Sequence, residues 1–114
     1  MAASSDRRPP FLDVSGAHLR ILEDILRQHV PGREVWAFGS RVRGHAKPWS
    51  DLDLVVRGET VPGFQARGLL QEALEESDLP WKVDLVWWAT LPAGFRRILE
   101  EDHLVLQEGI ADAA

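Results

Sequence analysis

Cysteine is missing from the 114-residue chain, which removes disulfides, thiolate nucleophiles and cysteine zinc sites together. Its four histidines, His18, His29, His45 and His103, are scattered without a ligand spacing such as HExxH, so a histidine zinc centre is not expected either. No apolar run approaches the roughly 20 residues of a membrane-spanning helix, and the chain is expected to be soluble and, by default, cytoplasmic. Arg7-Arg8 is not followed by the apolar stretch that a twin-arginine export signal needs. Cations are the minority: a net charge of −5 argues against general binding to a nucleic-acid backbone, because that affinity comes from clustered Lys and Arg. Length is limited too, since 114 residues suffice for one core but not for a catalytic domain plus a substrate domain.

What is present reads as one α/β domain. Hydrophobic residues make up 45% of the chain and the charge is mixed, as in a folded globular protein. The domain is expected over 13–108, with a polar, proline-containing N-terminal tail over 1–12 and a small-residue C-terminal tail over 109–114. Ser15 suits the N-cap of a helix running to about His29, with Leu19, Leu22, Ile25 and Leu26 on one face, and Val30-Pro31-Gly32 ends it. Strands are expected at Glu34–Phe38, Asp51–Arg57, Trp81–Trp88 and Leu104–Gln107. Phe64, Leu69, Leu70, Ala73 and Leu74 mark a second helix ending near Ser77, and Thr90 is a candidate cap for a third carrying Phe95, Ile98 and Leu99. Helices alternating with strands imply a small sheet of about four strands covered by helices.

Two aspartates interrupt the second strand. Side chains alternate across a strand, so Asp51 and Asp53 share a face while Leu52, Leu54 and Val56 take the other. Two like charges this close repel, and a half-buried carboxylate is costly unless paired, protonated or bound to a cation. Oxygen-only donors favour Mg²⁺ or Mn²⁺ over zinc. The plainer reading is a strand start with solvated acids, Asp51 being a turn residue beside Ser50. Asp84 stands among Val83, Leu85, Val86, Trp87 and Trp88, where an acid needs a partner; Lys82 on the same face is one, and a shared cation is the other. Gly39-Ser40 follows directly on a strand, where a glycine lets backbone approach a ligand and exposed amides suit phosphate oxygens. Arg41, Arg43 and Lys47 come next, either a solvated surface or counter-charge for a polyphosphate.

The combination is more specific than its parts. Gly39-Ser40, ten residues, then Asp51-x-Asp53, with Asp84 on a later strand, resembles the signature of the DNA polymerase β-like nucleotidyltransferase superfamily. GSRVRGHAKPWSDLDLVV is most similar to the minimal nucleotidyltransferases, small proteins encoded beside a HEPN-domain toxin and acting as its antitoxin, and the resemblance spans Val35 to Leu85 and in outline reaches Leu106. It implies a nucleotidyltransferase fold, ATP as substrate, one or two Mg²⁺ ions, and transfer of AMP to a hydroxyl, tyrosine above all, of the HEPN partner. In that scheme Asp51 and Asp53 hold metal and Asp84 completes a two-metal site or helps deprotonate the attacking hydroxyl. Gly39 and Ser40 take the outer phosphates, and Arg41, Arg43 and Ser50 join the nucleotide-binding set. The chain has no tyrosine, so a tyrosine acceptor must belong to another molecule. Two other readings stay open: an inert antitoxin that acts by binding its toxin, and a stand-alone transferase acting on a small-molecule or nucleic-acid hydroxyl. Trp87 and Trp88, adjacent on an expected strand, face opposite sides, so either one meets a partner or helices cover both sheet faces.

Overall fold

A computed structural model describes residues 11–110. Ser15 caps the first helix, α1 (Gly16–His29), its hydroxyl oxygen accepting from the His18 N–H at 3.2 Å. The chain then runs through β1 (Val35–Phe38), a single helical turn α2 (Ser40–Arg43), β2 (Leu52–Val56), α3 (Phe64–Glu75), β3 (Val83–Trp87), a 3₁₀ turn (Trp88–Thr90), α4 (Ala93–Glu101) and β4 (Leu104–Gln107). The expected elements are all present; α2 is an addition, found where the sequence suggested only an irregular connection. Thr90 does not cap α4, which starts after Pro92; its hydroxyl instead donates to the Trp87 carbonyl at 2.9 Å, closing the 3₁₀ turn. Trp88 accordingly belongs to that turn rather than to the strand.

The four strands form one mixed sheet in the order β3-β2-β1-β4. β1 pairs antiparallel with both β2 and β4, whereas β2 and β3, joined by the crossover helix α3, run parallel. Strand alternation divides the core in two. Val35, Ala37, Leu52, Leu54, Val56 and Val83 face α1 and α3, meeting Leu22, Leu26, Leu70 and Leu74. Trp36 and Val55 face the other way, toward Trp88 and Leu99, with Phe38, Val86 and Phe95 packed against them. Helices therefore cover both faces, and the two tryptophans are used internally: Trp87 packs on the α1/α3 side and Trp88 on the α4 side. On that second side Trp36 stacks on His103 with ring centres 3.6 Å apart, and the Arg57 guanidinium lies 4.4 Å from the ring centres of both Trp36 and Trp88.

Most of the expected tails lies outside the described residues. Of the parts within them, the Phe11 N–H donates to the Val42 carbonyl at 3.3 Å and the Ile110 N–H to the Gly32 carbonyl at 2.9 Å. Among the described residues no helix is long and apolar enough to cross a membrane.

Candidate active site

The α4 side of the sheet is apolar at one end and acidic at the other. Asp53 and Asp84 share this face with Val55 and Val86, because each lies two residues before its valine on the same strand. The parallel register sets Asp53 directly opposite Asp84. Asp51 precedes Asp53 by two residues, just outside β2, and is exposed, as is Asp84; Asp53 is half-buried. Burial, then the Asp84 charge, then the Asp51 charge push the Asp53 carboxyl above its ordinary range. Asp84 from β3 and Asp51 from the entry to β2 thus both bear on Asp53. They do not close on one point: among the described residues no three acidic or imidazole groups gather tightly enough to enclose a metal ion.

Gly39 stands against this group from the other flank. The β1–β2 register pairs Phe38 with Asp53, so the chain leaves β1 beside the buried carboxylate. Gly39 leaves in a backbone conformation reserved for glycine, φ 83° and ψ −157°. A Cβ there would collide with Asp53 Oδ2 and sit 3.3 Å from its Cγ. The glycine is required twice, once by the turn and once by the carboxylate that occupies the space of its missing side chain. Ser40 then opens α2, which ends at Gly44 in the left-handed conformation with φ 79°.

A strand, a glycine-serine turn, an aspartate at the entry to the next strand, a second within it and a third opposite the second form the arrangement expected of an acid-dependent phosphoryl-transfer site, and residues 19–106 match the family described as "Nucleotidyltransferase domain". The chain belongs to that family. Within the nucleotidyltransferases it is similar to the Haemophilus influenzae protein named probable protein adenylyltransferase MntA, at 52% identity over 97 residues and 85% of each chain. It is also similar to the protein adenylyltransferase MntA of Thermococcus cleftensis, at 40% identity over 72 residues, which are 63% of this chain and 72% of that one. Its fold matches a crystal structure of a toxin-antitoxin with AMP-PNP, with a TM-score of 0.67 and 24% identity over 83% of this chain and 77% of that one. It likewise matches a chain of the tri-AMPylated Shewanella oneidensis HEPN toxin in complex with MNT antitoxin, with a TM-score of 0.59 and 21% identity over 83% and 72% of the two chains. At these identities the two structures establish the nucleotidyltransferase fold alone.

Not every polar residue of the motif faces the nucleotidyltransferase site. Arg41, expected as a phosphate ligand, is 5% exposed and spends its guanidinium on backbone. Its Nε donates to the Ser50 carbonyl at 3.0 Å, Nη1 to Asp13 at 3.0 Å, and Nη2 to Lys47 and Pro48 at 3.2 and 3.1 Å, while the cation lies 4.8 Å from the Trp81 ring centre. Carbonyls of the loop after α2 and of the segment before α1 take up these donors, so the Arg41 guanidinium is spent on fixing the loop. Ser50 serves the same loop: its hydroxyl accepts from the Lys47 N–H at 2.8 Å and closes the 47–50 turn, leaving Trp49 exposed at the tip. Lys82 makes no ion pair with Asp84; the ion pairs among the described residues are Arg27–Asp24 and Arg43–Asp102. Arg43 is partly exposed and meets Asp102 at 3.1 Å, a partner the sequence reading missed.

Proposed function

We propose that this nucleotidyltransferase is a protein adenylyltransferase that moves AMP from ATP to a hydroxyl, tyrosine above all, of a HEPN-domain toxin and so neutralises it. The observation that carries the proposal is the meeting of Asp53 with Asp84 across the parallel pair, backed by Asp51 and by the Gly39 turn. Like-charge crowding at Asp53 is what a divalent cation relieves, and the donors are oxygen only, so the site suits Mg²⁺. Asp51 and Asp53 would hold it, with Asp84 as a third ligand; the exposure of Asp51 and Asp84 leaves their side chains room to close on an ion. When bound, the metal would neutralise charge on the triphosphate and on the departing pyrophosphate.

The chain's own residues supply position. The Gly39–Ser40 turn brings backbone close to the carboxylates, where its amides can receive outer phosphate oxygens. The acceptor oxygen bonds to the α-phosphorus while the bond from that phosphorus to the bridging oxygen breaks, releasing pyrophosphate in line. The hydroxyl proton passes to a carboxylate, assigned here to Asp84, which like Asp51 is exposed to an incoming partner. A partner must deliver the hydroxyl if it is a tyrosine, because this chain has none. A cytoplasmic location agrees with ATP as the AMP donor.

Incubation with α-labelled ATP, Mg²⁺ and a cognate HEPN-domain toxin should label the toxin, and Asp53→Asn should abolish the label. No label on the true partner would sink the proposal. An Asp51→Ala/Asp53→Ala variant that still neutralises the toxin fully would instead favour the inert antitoxin.

A further inference from the structure

We propose that Asp102 is a positioning residue of this site: it holds Arg43 beside the Gly39–Ser40 turn so that the guanidinium is already placed for the outer phosphates of the nucleotide. The assignment rests on the nucleotide site proposed above. Sheet register puts Asp102 there. β1 and β4 are antiparallel with Ala37 opposite Leu104, so the chain just before β4 runs alongside the chain just after β1. Asp102 therefore flanks the Gly39 region from the β4 side, as Asp53 flanks it from the β2 side. Arg43 reaches the same place along α2. It follows Ser40 by three residues on one helical turn, which sets both on one face, and helical side chains lean toward the N-terminus, here the Gly39 turn.

The setting of Asp102 is unfavourable without Arg43. It closes α4 at the end where the helix dipole is negative, directly after Glu100 and Glu101, and the last turn of α4 carries no basic residue. The counter-charge comes from α2, one guanidinium nitrogen meeting Asp102 Oδ1 at 3.1 Å. That contact engages one oxygen and one nitrogen, so the remaining donors of the planar fork are left to bind phosphate. A pair this exposed contributes little to fold stability. Its effect falls on Arg43: a long side chain free in solvent loses rotamer freedom on capturing a phosphate, and one already held loses less.

The test uses the full chain, ATP with Mg²⁺ as the probe, and two readouts: calorimetric ATP binding and steady-state transfer of labelled AMP. Asp102→Asn should weaken ATP binding and raise KM for ATP roughly three- to tenfold, the worth of one side chain's immobilisation, with kcat and Tm close to wild type. Asp102→Glu should recover most of the loss. Arg43→Gln/Asp102→Asn should bind ATP no worse than Arg43→Gln alone, because Asp102 acts only through Arg43. Unchanged ATP binding in Asp102→Asn overturns the proposal. So does tighter binding, which would make Asp102 a competitor of phosphate for Arg43, and so does a lower Tm with KM unmoved, which would make the pair merely structural. Wild-type protein that binds no ATP overturns the nucleotide site itself; wild-type binding with an indifferent Asp102→Asn overturns only the role of Asp102.

Discussion

Gly39→Ala puts the joint demands of fold and chemistry on a single atom. At φ 83° and ψ −157° the added Cβ meets a region essentially closed to other residues, at a cost of order 1–3 kcal/mol. The same methyl collides with Asp53 Oδ2 and lies 3.3 and 3.6 Å from Asp53 Cγ and Cβ. Asp53 cannot back away as a whole, because its backbone is tied to Phe38 on one side and Asp84 on the other. Only its carboxylate can swing, and that takes it out of the acidic group. The expected result is a loss of about 2 kcal/mol, a Tm lower by on the order of 10 °C, and a fall in AMP transfer of about 10²-fold from misplacing a reacting group. Thermal unfolding and labelled-ATP transfer on the same preparation separate the two effects. Gly16→Ala is the control: nothing lies within 4 Å of a Cβ there, and it should match or slightly exceed wild-type stability. A Gly39→Ala protein with wild-type Tm and wild-type transfer would refute the packing of carboxylate against glycine.

The Asp53 carboxyl, raised by burial, Asp84 and Asp51, binds its proton more tightly folded than unfolded, so stability should fall as pH rises from about the ordinary 3.8 through the raised value. In chelator at neutral pH, Asp53→Asn should therefore melt above wild type, the advantage fading below pH 3.8, and Mg²⁺ should raise the Tm of wild type far more than that of the variant. Melting curves across pH check this; a neutral-pH Tm below wild type would contradict it. Arg41→Ala strands the carbonyls of Asp13, Pro48 and Ser50, leaving Lys47 only its bond from the Ser50 N–H, and should cost about 3 kcal/mol or more, with Arg41→Lys recovering less than half because an ammonium lacks the fork; urea unfolding measures both. Trp36→Ala empties the contact with His103 and Arg57 beneath α4 and should cost about 3–5 kcal/mol by the same assay.

Local pattern accounts for most of the fold. The Ser15 cap, the period of Leu22 and Leu26, the β-branched and aromatic runs and the proline-glycine breaks act between near neighbours in the chain, so they are visible along it, and they marked α1, α3 and all four strands. The pairing of Asp51 with Asp53 on one face also follows from strand alternation alone, and the glycine-serine motif pointed to the turn. What the chain cannot display is which residues from distant segments meet. Parallel register set Asp84 opposite Asp53 rather than beside Lys82, and an antiparallel register carried Asp102 to Arg43. Arg41 and Arg43 look alike as letters in GSRVRG. Burial separates them, because backbone carbonyls converge around Arg41 and consume its donors while Arg43 stays partly exposed and meets Asp102. The acidic group was legible because carboxylates in a strand are costly wherever they stand; which neighbours engage each cation is a matter of three-dimensional packing, which the order of residues along the chain does not display.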